Sequence, residues 1–181
     1  MKAVFLDRDG VINVDHGYVS QISDFQFHDK IIPLLQLLKN HNYELFICTN
    51  QSGIARNFFN NEDYKRLTLY YLSILKAFGV DIKEIETCPH HPDYTGPCDC
   101  RKPLPGMFDK IILKYDIDCQ ASMAFGDNCR DLIAAKSAGI NRLFLISEST
   151  SHDCKLGEQR FNTVSELYNS LNELDSRTLL L

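Results

Sequence analysis

Three short apolar runs, each opening at its carboxyl end into a polar segment, constrain this chain more than any other feature. Lys2 to Leu6 runs into DRDG, Tyr43 to Cys48 (YELFIC) into TNQSG, and Met123 to Phe125 into GDNCRD. Each reads as a buried strand whose end becomes a loop. Between them the spacing predicts helices over 31–41, with apolar residues at 31, 34, 35 and 38, and over 62–78, with apolar residues at 67, 70, 71, 74, 75 and 78. Weaker patterns predict helices over 106–115, 130–138 and 164–174, and strands over 84–87 and 142–146. Strands that alternate with helices pair in parallel and are covered by helices. The expected fold is therefore α/β, a Rossmann-like three-layer sandwich around a central parallel sheet. In such sheets ligands bind beyond the carboxyl ends of the strands, where strand order reverses, so the three polar loops belong to one site.

At 181 residues the chain has room for one core, and residues 1–181 are expected to form a single domain. The segments between motifs are short, which leaves no large cap domain. The polar stretch 147–160 (SESTSHDCKLGEQR) reads as a surface loop, and the final SRTLLL as a frayed tail. A net charge of -5, without a clustered Lys/Arg face, argues against nucleic acid or an acidic membrane surface as partner and for a small molecule. No apolar window reaches spanning length, so the cytoplasm is the expected location; a monomer is expected as well. Seven cysteines, three of them crowded beside two histidines, indicate metal binding in a reducing compartment rather than disulfides.

Asp7 and Asp9 are two carboxylates one residue apart, and Gly10 behind them permits the tight turn that brings both to one small volume. A divalent cation relieves their repulsion. Magnesium suits this donor set, being a hard ion that prefers carboxylate and phosphate oxygens. Asp127 in GDNCRD supplies a further ligand, giving Asp7, Asp9 and Asp127 as the expected magnesium set, with Asp131 holding the loop. Residues 88–100 read CPHHPDYTGPCDC. Cys88, His90, Cys98 and Cys100 make a complete tetrahedral set for zinc, although the spacing also admits His91. Four protein ligands leave no open position, so this zinc is expected to be structural. Arg101 and Lys102 follow Cys100 directly, so closing the metal loop is expected to aim both cations at the phosphate site.

FLDRDG, TNQSG, RKPLPG and GDNCRD, in that order, resemble the four signature segments of the haloacid dehalogenase superfamily, and the resemblance spans residues 2–146. It implies phosphoryl transfer to Asp7 as nucleophile, with Asp9 as acid and base, and with Lys102, the Thr49 hydroxyl and the Asn50 backbone on the phosphoryl oxygens. A zinc loop followed by RKPLPG resembles the branch shared by heptose bisphosphate and histidinol-phosphate phosphatases. INVDHGYV and TNQSGIAR look like the former. That implies cleavage of the 7-phosphate of D-glycero-D-manno-heptose 1,7-bisphosphate, a step toward nucleotide-activated heptose for lipopolysaccharide, capsule or surface glycan. The same resemblance implies substrate contacts from Asp15, His16, Gly17, Tyr18, Thr49, Asn50, Gln51, Ser52, Arg101 and Lys102. Arg101 is the expected partner of the uncleaved phosphate. Two residues depart from the family pattern: Asn128 stands where lysine is usual, and Asn57 where glycine is usual. The rival readings are a histidinol-phosphate phosphatase and a catalytically silent, zinc-stabilised binding module.

Overall fold

Alternating side chains along the inner strands serve two cores, one on either face of a single sheet. In a computed structural model that describes residues 1–148 and 154–173, six strands form that sheet. They are β1 (Ala3–Leu6), β2 (Glu44–Asn50), β3 (Ile82–Cys88), β4 (Met123–Gly126), β5 (Arg142–Ile146) and β6 (Gln159–Phe161). The helices are α1 (Ile31–Asn40), α2 (Asn61–Ala77), the single turn α3 (Pro92–Thr95), α4 (Gly106–Tyr115), α5 (Cys129–Ser137) and α6 (Val164–Glu173). Val4, Leu6, Leu45, Ile47, Met123 and Phe125 pack against α1, α2 and α6, whereas Ala3, Phe5, Phe46, Ala124, Leu143 and Leu145 pack against α4 and α5. This is the three-layer sandwich that the sequence predicts.

Every pairing is parallel and the strand order is β3-β2-β1-β4-β5-β6. The chain steps outward from β1 to β2 and β3, then crosses back to lay β4 on the other side of β1. The order therefore reverses at β1, and a crevice opens beyond its carboxyl end. Residues 7–30, between β1 and α1, hold only a 3-10 turn (Ile22–Asp24), so no folded cap stands over that crevice.

Two features depart from the expectation. The end of the stretch 147–160, expected as loop throughout, continues into β6, an edge strand of three residues. It carries no period-2 apolar signal because two of its three side chains are exposed. Cys129 is disulfide-bonded to Cys154, with Cα atoms 5.5 Å apart, where only free or metal-binding thiols were expected. The two are 25 residues apart, and only the return of the chain after β5 brings them together. The expectation for SRTLLL lies outside the described residues.

Candidate active site

The site is assembled from the loops that follow β1, β2 and β4, together with the segment joining β3 to α4. Asp7 stands immediately after β1, its amide donating to the Phe125 carbonyl of β4 at 3.0 Å. The Arg8, Gly10 and Asn13 backbones then close a tight turn, with Ile12 and Asn13 donating to the Arg8 carbonyl. Gly10 has φ +82°, and a Cβ there would lie 2.5 Å from the Asp127 carboxyl group. Only glycine lets the two acidic loops approach this closely.

Asp7, Asp127 and Asp131 offer carboxylate oxygens that all lie within 4.8 Å of one another. Burial, reinforced by Asp7 and Asp131, pushes the Asp127 carboxyl up to about 8. Burial, opposed by Lys102 and reinforced by Asp131 and Asp9, pushes Asp7 up to about 7. Asp127 Oδ1 is buried without a hydrogen-bond partner. Crowded carboxylates that resist ionisation and leave an oxygen unpaired fit a small hard cation. Asp9 lies outside that cluster. Its carboxylate accepts from Arg8 Nη2 at 2.7 and 2.8 Å, from Asn13 Nδ2 at 3.0 Å and from Gln51 Nε2 at 2.9 Å. Arg8 is wholly buried.

Lys102 is 2 % exposed, and its Nζ reaches Asp131 at 2.7 Å, Asp7 at 3.1 Å and the Cys48 carbonyl at 2.8 Å. Burial alone would lower its pKa, but Asp131 and Asp7 outweigh that and hold it above the usual lysine range. The Asn50 side chain pins the Lys102 backbone twice, accepting from its amide and donating to its carbonyl, each at 3.1 Å. Thr49 is buried beside it, its hydroxyl oxygen accepting from Gln51 Nε2 at 2.9 Å. Asp131 also accepts from the Asn128 amide at 3.0 Å, and the Asn128 side chain accepts from the Arg130 amide, capping α5 with its positive end toward the crevice.

The cleft above this floor is about 270 Å³ and includes Asp7, Asp9, Asp15, Gly17, Tyr18, Asn50, Gln51, Ser52, Arg101 and Asp127 in its walls. Ten of the residues expected from sequence thus meet in one place. Thr49 and Lys102 lie buried beneath it, and His16 faces a neighbouring groove with Ser23, Asp24 and Gln26. Sequence reasoning missed Arg56, His91 and Arg130, which also line the cleft, and the clamp residues Arg8 and Asn13. Arg8 and Arg130 lie inside the acidic motifs DRDG and GDNCRD, which was the available signal for them, and Arg56 closes the polar run TNQSGIAR. Asn57 has φ +58°, the left-handed conformation that lets asparagine replace glycine there.

In the loop after β3, the Cys88 and Cys98 sulfurs are 3.7 Å apart, Cys98 and Cys100 3.6 Å, and Cys88 and Cys100 3.1 Å. His90 Nδ1 lies 3.4 Å from Cys100 and 3.8 Å from Cys88. Ligands about 2.3 Å from a tetrahedral zinc are separated by about 3.8 Å, so this donor set fits one. His91 is turned elsewhere: its Nε2 lies 2.7 Å from Arg56 Nη2, and its Nδ1 accepts from the Asp93 amide.

A family model described as haloacid dehalogenase-like hydrolase matches residues 13–139. The chain belongs to the haloacid dehalogenase-like hydrolases. The matched interval begins after Asp7 and Asp9, whose standing in this hydrolase rests on the geometry above. The chain is 48% identical over 151 residues to the D-glycero-beta-D-manno-heptose-1,7-bisphosphate 7-phosphatase of Photorhabdus laumondii, covering 81% of this chain and 80% of that one. It is 40% identical over 176 residues to the D-glycero-alpha-D-manno-heptose-1,7-bisphosphate 7-phosphatase of Campylobacter jejuni, covering 96% and 98%. Among solved structures it resembles the D,D-heptose 1,7-bisphosphate phosphatase of B. bronchiseptica complexed with magnesium and phosphate, with TM-score 0.81, 29% identity and coverage of 95% and 98%. No helix among the described residues of this hydrolase is long and apolar enough to cross a membrane.

Proposed function

We propose that this hydrolase removes the 7-phosphate of D-glycero-D-manno-heptose 1,7-bisphosphate, giving heptose 1-phosphate, through an aspartyl-phosphate on Asp7. The observation that carries the reading is the joint one: a nucleophile-bearing cleft, in a chain 40–48% identical over most of its length to phosphatases of that name. Asp7 attacks phosphorus in line with the departing sugar oxygen. Asp9, steadied by Arg8, Asn13 and Gln51, gives that oxygen a proton and then takes one from the water that hydrolyses the acyl phosphate. Lys102 and the Thr49 hydroxyl meet the phosphoryl oxygens from below, the Thr49 oxygen having already taken the Gln51 hydrogen bond. Asp7, Asp9 and Asp127, with Asp131 beside Asp7 and Asp127, would hold magnesium, which would supply charge neutralisation for the phosphoryl oxygens. Asp15, Gly17, Tyr18, Gln51 and Ser52 form the sugar's wall, with Asn50 fixing the Lys102 backbone. Arg130 supplies a cation two residues beyond Asn128. We take the enzyme to act in the cytoplasm, as a monomer, in nucleotide-activated heptose synthesis.

Phosphate release from both heptose bisphosphate anomers, histidinol phosphate and fructose 1,6-bisphosphate tests the reading. Preference for a heptose bisphosphate is the expected result; preference for histidinol phosphate overturns the substrate.

The raised carboxyls give this reading a pH signature. Asp7 and Asp127 sit above the ordinary value of about 4 in the metal-free fold, so their stabilising contribution is complete below that value and lost as pH rises through about 7 and about 8. A cation binds the ionised pair, so the increase in Tm on adding excess magnesium is expected to be larger at pH 8 than at pH 6. Thermal melts with and without magnesium check this, and a larger increase at pH 6 contradicts it.

We assign zinc to Cys88, His90, Cys98 and Cys100, as a structural ion. Its removal is expected to act on Arg101, whose Nη1 donates to the His90 carbonyl at 3.1 Å, more than on Lys102, which Asp7, Asp131, Cys48 and Asn50 hold independently. Chelation should therefore lower kcat/KM by about tenfold or more, mainly through KM. Full activity of zinc-free protein in excess magnesium contradicts the assignment.

A further inference from the structure

We infer that Arg56 receives the second, uncleaved phosphate of the substrate, an inference that rests on the bisphosphate reading above. The sequence reading gave this task to Arg101. Arg56 comes from the loop after β2 and lines the same cleft as Asp7. Its guanidinium lies 5.8 Å from the Tyr18 ring centroid, 6.0 Å from that of Phe58 and 5.6 Å from that of Tyr94. Nη2 meets His91 Nε2 at 2.7 Å, and Nε is buried without an acceptor. Tyr18 belongs to the loop after β1, Phe58 to Arg56's own loop, and His91 and Tyr94 to the metal-binding loop. Three separate walls of the cleft thus converge on one cation.

Like Arg101 and Arg130, this cation has no carboxylate partner among the described residues, and unlike them it is packed among rings from three loops. Arg8, Arg66 and Arg160 pair with Asp9, Asp63 and Glu158, whereas no carboxylate among the described residues pairs with Arg56. A half-buried guanidinium held between rings and His91 has already met part of the ordering cost that a flexible side chain meets on binding, and its planar fork matches a phosphate. Its competitors are otherwise engaged. Arg101 is tied to the His90 carbonyl and adjoins Lys102, which serves the reacting phosphoryl group, while Arg130 is exposed and has no such packing. Arg56 forms no ion pair with Asp7, Asp9 or Asp127, so its charge is free for an anion other than the one being transferred. The loop after β1 and the metal loop each pack a side chain against Arg56.

The test is the ratio of kcat/KM for heptose 1,7-bisphosphate to that for heptose 7-phosphate, which lacks the second phosphate, in wild type, Arg56→Gln and Arg56→Lys. Arg56→Gln is expected to lower the ratio about tenfold to a hundredfold, the span of one or two charge-assisted hydrogen bonds, with the change carried by KM. Arg56→Lys keeps the charge but loses the fork and should fall between. An unaltered ratio overturns the inference however much total activity is lost, because a purely structural role would affect both substrates equally. A wild type that treats the two substrates alike overturns it without any variant, which covers the case in which Arg56→Gln does not fold. If another sugar bisphosphate proves the better substrate, the heptose reading fails, while the same ratio measured on that compound and its monophosphate still decides for or against Arg56.

Discussion

Asp7→Asn is expected to abolish phosphate release, by at least about a thousandfold, while leaving the fold as stable as before. The two halves of that result have one cause. Asparagine is nearly the same size as aspartate but is far too weak a nucleophile to form the acyl phosphate. Its neutrality also relieves the site, because the Asp7 carboxylate is buried among Asp127, Asp131 and Asp9, and its pKa is pushed up to about 7. At pH 8 the wild type holds that charge against its surroundings, so removing it does not lower Tm in the absence of magnesium. The Lys102 ammonium loses one partner but retains Asp131 and the Cys48 carbonyl. Phosphate assays paired with thermal melts check both halves. An Asp7→Asn protein that turns over at a tenth of the wild-type rate contradicts the nucleophile assignment.

Lys102→Ala should fail in the opposite way, losing both activity and stability. Lys102 is buried, and its one ammonium group balances Asp7 and Asp131 at once. Its removal leaves two acids facing Asp127 with no fixed cation, and breaking a buried pair this way costs about 3–5 kcal/mol. Activity should fall by about a hundredfold or more, the usual cost of a lost electrostatic contact to the transition state. Denaturant melts give the first quantity and kcat the second. Magnesium should recover part of the stability but not of the rate, because the cation can neutralise the acids without reaching the phosphoryl oxygens that Lys102 meets. A fully stable Lys102→Ala protein contradicts the view that this lysine organises the floor of the cleft.

Much of this was legible in the sequence because the informative residues lie at strand ends, where the period of the apolar run stops and polar residues begin. The five strands and five helices read from sequence all exist, and so does the convergence of the loops after β1, β2 and β4. What sequence could not supply was which polar atoms are already engaged. The spacing DxD does not reveal that the Asp9 carboxylate accepts from Arg8, Asn13 and Gln51, or that Asp131 stands in the acidic cluster with Asp7 and Asp127. His90 and His91 are equivalent on spacing alone. In the fold His90 turns toward the Cys88 and Cys100 sulfurs, and His91, which caps α3, turns toward Arg56. Arg56 itself was hidden because its partners, Tyr18, Phe58 and Tyr94, are spread over 76 residues and meet only once the three loops fold. The same holds for Cys129 and Cys154, and for β6, which is short and half polar because it closes the edge of the sheet.

The central claim, that Asp7 carries the phosphoryl group, is open to direct chemical capture. An aspartyl-phosphate is an acyl phosphate, and borohydride added during turnover reduces that carbonyl to an alcohol, converting the residue to homoserine. Peptide mass spectrometry of protein quenched this way with heptose 1,7-bisphosphate and magnesium is expected to find homoserine at position 7, and none when either is omitted. Turnover that leaves position 7 as aspartate, or that marks Asp9 or Asp127 instead, contradicts the account.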